Sequence, residues 1–109
     1  ELDPDFAKAY QYRGHAHYYK SEPGKAVADF TESIRLKPDD GTYVIRGFAY
    51  AFQREFDKAI ADYNAAIRLN PASGVAYYNR ALAYDALGNV DRAKIDADFS
   101  RARELGFED

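Results

Sequence analysis

The chain has 109 residues, with 18 acidic against 15 basic side chains, no cysteine or methionine, and 47% hydrophobic content. That length holds one domain of ordinary apolar content, and no apolar run approaches the roughly 20 residues that a membrane-crossing helix needs. The absence of cysteine excludes disulfides and thiolate metal sites, and a formal charge of −3 gives no basic footprint for nucleic acid.

After Glu1-Leu2-Asp3-Pro4, in which no signal-peptide pattern is present, apolar residues fall at helical spacing, and a first helix is predicted over about Asp5–Lys20. Ser21-Glu22-Pro23-Gly24 then places proline in a first helical turn, where its missing N–H is not needed. The second helix runs to about Lys37, and Pro38 forces the residue before it out of helix. Asp39-Asp40 supplies the N-cap of a third helix, about Asp40–Gln53, followed by a fourth over about Asp57–Leu69. Pro71 closes that helix, and Ser73 opens a fifth that ends near Leu87. Gly88-Asn89 separates it from a sixth helix, about Val90–Leu105.

The six predicted helices form three copies of one unit. Tyr10-Gln11-Tyr12-Arg13-Gly14-His15-Ala16 aligns with Tyr43-Val44-Ile45-Arg46-Gly47-Phe48-Ala49 and with Tyr77-Tyr78-Asn79-Arg80-Ala81-Leu82-Ala83. Twelve residues after each small residue comes an alanine: Ala26, Ala59 and Ala93. In the first two units an aromatic follows the glycine by 16 residues (Phe30, Tyr63) and a proline by 24 (Pro38, Pro71). Glycine inside a helix costs about 0.5–1 kcal/mol relative to alanine, so Gly14 and Gly47 are expected to face Ala26 and Ala59 at close approach.

The third unit breaks register. Strict spacing puts Ala97 and Ser100 where the second unit has Tyr63 and Ala66, whereas a two-residue shift puts Phe99 and Ala102 there. Two residues rotate a helix by about 200°, so only one register can face the neighbour. Ile95, Phe99 and Ala102 make the better apolar stripe, which places the shift near Val90–Lys94.

The pattern resembles the tetratricopeptide repeat, a 34-residue helix–turn–helix unit. Its signature is met by Tyr10, Gly14, Ala26, Phe30 and Pro38, by Tyr43, Gly47, Tyr50, Ala59, Tyr63, Ala66 and Pro71, and by Tyr77, Ala81, Tyr84 and Ala93. The resemblance implies an all-α, right-handed α-solenoid of three stacked helix-turn-helix hairpins in a single domain. The repeats fall at about 7–39, 40–73 and 74–107, and residues 1–6 resemble the close of a preceding repeat, as expected of a piece of a longer array. Members of the family usually carry an extra capping helix. None follows the third unit, so both ends are expected to expose apolar surface, with end-to-end stacking or helix exchange into a homo-oligomer as one outcome.

Nothing points to catalysis, and no cofactor or metal ligand set is expected. His15 and His17 lie two apart on a helix and point to different faces, and His17 aligns with Tyr50 and Tyr84 as a packing residue. There is no phosphate loop or nucleophile elbow. Arg13, Arg46 and Arg80 precede the small residues, each with an aspartate 16 residues on (Asp29, Asp62, Asp96) or, in the shifted register, Asp98. Ion pairs within each hairpin are favoured over a row of arginines gripping anionic ligands.

The resemblance places the ligand groove on the concave side, lined by the first helix of each unit. Helical spacing then gathers Tyr12, His15 and Tyr19 with Ile45, Phe48 and Phe52 and with Asn79, Leu82 and Ala86, flanked by Gln11, Val44 and Tyr78 on one side and by Tyr18, Ala51 and Asp85 on the other. Ten of these, Tyr12, His15, Tyr19, Val44, Ile45, Phe48, Phe52, Tyr78, Asn79 and Leu82, are the candidate peptide-binding residues of a non-catalytic protein–protein interaction scaffold. The competing expectation is that neighbouring helices bury these rings against one another. Relatives that hold acidic chaperone tails use a clamp of lysines, asparagines and an arginine. The matching places here are Gln11, His15, Ile45, Val75 and Asn79, so that clamp is absent.

Overall fold

The protein, seen in a computed structural model, is described over residues 4–107. Six helices follow one another: α1 (Pro4–Tyr19), α2 (Pro23–Leu36), α3 (Asp40–Phe52), α4 (Phe56–Leu69), α5 (Gly74–Leu87) and α6 (Arg92–Glu104). No strand occurs among the described residues. The helices pair as three hairpins that pack in chain order, giving a body of 45 × 25 × 21 Å.

Local chemistry sets the boundaries. The Asp39 carboxylate accepts the Thr42 N–H at 3.0 Å, and the Ser73 hydroxyl accepts the Ala76 N–H at 3.3 Å, which caps α3 and α5. Inside each hairpin the chain turns through one left-handed residue at an equivalent place: Ser21 (φ 63°), Arg54 (φ 62°) and Gly88 (φ 79°). Glu22 N–H then bonds the His17 carbonyl at 2.8 Å, and Glu55 N–H the Tyr50 carbonyl at 2.9 Å. Only the third hairpin uses glycine, the residue that adopts this conformation without a Cβ penalty.

The same turns locate the register shift. Helices α2 and α4 begin two residues after the left-handed position, whereas α6 begins four after it, at Arg92 rather than Val90. The two extra residues lie in the turn, and α6 itself is regular. Ala93 is consequently exposed, and Ile95 is buried in the place held by Ala26 and Ala59 in the other hairpins.

The core lies between hairpins as much as within them. One cluster joins Ala26 and Phe30 of α2 to Ile45 and Ala49 of α3, and a second joins Val44 of α3, Ala59, Tyr63 and Ala66 of α4, and Ala76 and Ala83 of α5. The glycines differ from expectation. A Cβ at Gly14 would stand 2.6 Å from the Phe30 ring, and one at Gly47 would stand 2.5 Å from the Tyr63 ring. The aromatic 16 residues on, rather than the alanine 12 on, is what each glycine meets most closely.

Candidate functional site

Each of the three arginines holds an aspartate of its own hairpin. Arg13 donates to Asp29 at 2.8 and 2.7 Å, Arg46 to Asp62 at 2.9 and 2.7 Å, and Arg80 to Asp98 at 2.8 and 2.7 Å. Each is a two-pronged guanidinium–carboxylate pair, the geometry that suits arginine best. The Arg46 guanidinium also lies between the rings of Tyr43 and Tyr50, and Arg80 between those of Tyr77 and Tyr84. In the first hairpin Tyr10 is present but the second place belongs to His17, whose Nδ1 is 2.7 Å from Glu22. His17 therefore has a polar partner where its counterparts have a packing role. The aspartate of the third pair is Asp98, as the shifted register requires, and Asp96 instead meets Arg92 at 3.2 Å.

A second bond, absent from the sequence expectations, ties hairpin to hairpin. Arg46 Nη1 donates to Thr31 Oγ1 of α2 at 3.1 Å, and Arg80 Nη1 donates to Asn64 Oδ1 of α4 at 2.9 Å. Thr31 and Asn64 each stand two residues beyond the paired aspartate of their own helix. Aligning the second helices on those aspartates would have exposed the signal.

An open cleft of about 400 Å³ is lined by Tyr18, Phe48, Ala51, Phe52, Tyr63 and Asn79. His15 stands at its first-hairpin end, edge-on to Phe30 at 5.5 Å and stacked on Tyr19 at 6.3 Å, while Tyr18 meets Phe52 at 6.3 Å. Burial pushes the phenols of Tyr18 and Tyr63 up, so both stay neutral hydroxyls at physiological pH. No lining side chain carries a charge.

The ten sequence candidates divide in this frame. Phe48, Phe52 and Asn79 line the cleft, His15 and Tyr19 adjoin it, and Leu82 is exposed. Val44 and Ile45 are buried in the two core clusters and present no usable surface, which corrects their placement in the groove. Tyr78 is held between Phe99 and Phe107, 5.3 and 5.2 Å away, and packs the third hairpin together. Tyr12 is 67% exposed, yet its equivalent is Ile45, which lies against α2. The row of Tyr12, Ile45 and Asn79 thus follows the interface between hairpins. Tyr18, Ala51 and Tyr63 are the cleft residues missing from the candidates. Tyr63 comes from a second helix and is the only one of the equivalent Phe30, Tyr63 and Phe99 with a hydroxyl.

Among the described residues no group of three or more His, Asp or Glu is placed to hold a metal, and no helix is long and apolar enough to cross a membrane.

A TPR-repeat family model matches residues 46–88. No curated protein matches the sequence. Solved structures match over nearly the whole chain. The first TPR of Spaghetti (RPAP3), bound to the HSP90 peptide SRMEEVD, is 25% identical with a TM-score of 0.88, covering 95% of this chain and 82% of that one. The Arabidopsis OM64 TPR domain is 26% identical with a TM-score of 0.89, covering 94% and 84%. MamA is 30% identical with a TM-score of 0.88, and 96% of this chain spans 61% of its length.

Proposed function

Because this chain is a tetratricopeptide-repeat array, we propose that it is a protein-interaction scaffold whose concave cleft takes a peptide or helix through aromatic and aliphatic contacts. The observation that carries this reading is the cleft itself: exposed and half-buried rings of Tyr18, Phe48 and Phe52 surround an open hollow with Asn79 at its edge. An exposed apolar patch of this kind marks a binding surface more often than it marks idle surface. The similar Spaghetti domain, which holds an acidic HSP90 peptide, supports a peptide-binding role.

The chemistry of the ligand differs. At the places matching an acidic-tail clamp, Gln11 donates to Thr42 at 3.1 Å, Asn79 donates back to the Val75 carbonyl at 2.8 Å, and Ile45 is buried. No lysine or arginine stands there to meet a carboxylate. The preferred ligand is therefore an apolar-anchored segment rather than an acidic chaperone tail.

Peptide display against the chain, with parallel selection against Phe52→Glu, tests this. The wild-type chain is expected to enrich sequences with aromatic or aliphatic anchors and the variant to lose them by about tenfold. Enrichment of acidic C-termini, or equal capture by both proteins, rejects the reading.

A further inference from the structure

The aromatic that each second helix sends into its hairpin is Phe30, Tyr63 or Phe99, and phenylalanine serves two of the three places. Phe30 is as fully buried as Tyr63, so packing does not require the hydroxyl that Tyr63 adds. Tyr63 is the largest of the fully buried side chains, at 1% exposure, yet it lines the open cleft. Gly47 explains how. A Cβ there would stand 2.5 Å from one ring carbon and 2.9 Å from the carbon that bears the hydroxyl, so only glycine lets the tip of the ring lie this close to α3.

The Tyr63 hydroxyl makes no hydrogen bond among the described residues. No side-chain oxygen or nitrogen among them is both sealed from solvent and unbonded, so this oxygen is the part of Tyr63 that stays open, and the cleft is the hollow it borders. Asn79 stands on the same hollow. Its Nδ2 donates to the Val75 carbonyl at 2.8 Å, which leaves Oδ1 as an acceptor with no donor among the described residues. Phe48, whose ring centre is 6.2 Å from that of Tyr63, joins Ala51 and Phe52 in supplying apolar wall. Burial keeps the Tyr63 phenol neutral, and no charged side chain lines the hollow.

We propose that the cleft takes a tyrosine side chain of a partner peptide, and that the Tyr63 hydroxyl selects that tyrosine over phenylalanine. The inference rests on the reading of the cleft as a peptide site and names the anchor it prefers. An aromatic body suits the rings that line the hollow. At its tip, a phenol can donate to Asn79 Oδ1 and accept from the Tyr63 hydroxyl. An indole N–H can only donate, and phenylalanine leaves both polar atoms unpaired. A carboxylate or ammonium tip would give up its water with no opposite charge to meet it. A site built to hydrogen-bond a hydroxyl rejects the analogue that lacks one, because its own polar groups are then left dry.

The test is an amide NMR titration of the wild-type chain and of Tyr63→Phe with two capped tripeptides, acetyl-alanyl-tyrosyl-alanine amide and its phenylalanyl counterpart. In the wild type both are expected to shift Phe48, Phe52 and Asn79 saturably, with the tyrosyl peptide about tenfold tighter. Tyr63→Phe should keep its melting temperature within about 3 °C, as Phe30 packs without a hydroxyl, and should cut the tyrosyl preference to about twofold or less. A hydroxyl with a purely structural role would instead lower the melting temperature and weaken both peptides alike, which overturns the proposal. Equal affinity of the two peptides for the wild type, or a tyrosyl preference that survives in Tyr63→Phe, also overturns it while leaving the cleft a peptide site. No saturable shift at Phe48 and Phe52 with either peptide rejects the cleft reading and this inference together.

Discussion

The first and second hairpins carry the same arginine–aspartate pair in different surroundings, and the carboxylates respond in opposite directions. In the first, the hydrogen bonds from Arg13 dominate and hold Asp29 below the usual carboxylate range. In the second, burial dominates and pushes Asp62 up, although Arg46 makes equivalent bonds and pulls against it. The aspartates are about equally enclosed, so the difference lies with the arginines: Arg13 stands in water, while Arg46 lies under α2 and between two tyrosine rings. One bonding geometry stabilises the ionised carboxylate at the end of the stack. In the middle of the stack it offsets only part of the cost of burying it.

The largest expected effect breaks the buried pair. Asp62→Ala should cost about 3 kcal/mol by leaving Arg46 buried without a partner, and adding Arg46→Leu should recover part of that loss. Asp29→Ala should cost clearly less, because Arg13 is already solvated. Chemical denaturation of the four proteins checks the order. Equal losses at the two sites, or a double variant no better than Asp62→Ala, would remove the distinction.

Acid titration sharpens the comparison by sign. Asp29 has a folded-state pKa below its unfolded value, so its contribution is present above the unfolded value and is lost as pH falls through the folded one. The melting-temperature gap between wild type and Asp29→Asn should therefore close on acidification below about pH 4. Asp62 is raised, so its contribution is fully present below the unfolded value and is lost as pH rises through the folded one. The gap for Asp62→Asn should widen on the same titration. Parallel slopes for the two variants would contradict the opposite shifts.

The smallest effect concerns the turns. Ser21→Gly relieves a left-handed non-glycine residue and should stabilise by about 0.5 kcal/mol. Arg54→Gly should gain less, because Arg54 lies 5.3 Å from the Phe56 ring centre and would forfeit that contact. Thermal melts of both variants check this, and a larger gain at Arg54 would reverse the assignment.

Much of the fold was legible before any coordinates. The small-residue, alanine and proline spacings gave six helices in three hairpins, and the arginine–aspartate spacing gave the pairs, including the shift from Asp96 to Asp98. The site was less legible. Tyr12, Ile45 and Asn79 share one row by periodicity, yet Ile45 is buried, Tyr12 is open and Asn79 edges the cleft. The row is the same, but its cover changes along the stack. Val44 and Tyr78 were drawn into the groove for the same reason, and Tyr63 was missed because it comes from the opposite helix of its hairpin.

Sequence alone determined the repeat, its helices and its internal ion pairs, because these rest on spacings within about one unit of chain, where helix geometry fixes which residues share a side. Tertiary structure decided which of those sides meets a neighbour and which lines the open cleft. Those outcomes depend on the order in which hairpins stack, and residues equivalent by repeat have different surroundings at an end and in the middle. Arg13 and Arg46 occupy equivalent positions, and only the helix lying over one of them tells them apart.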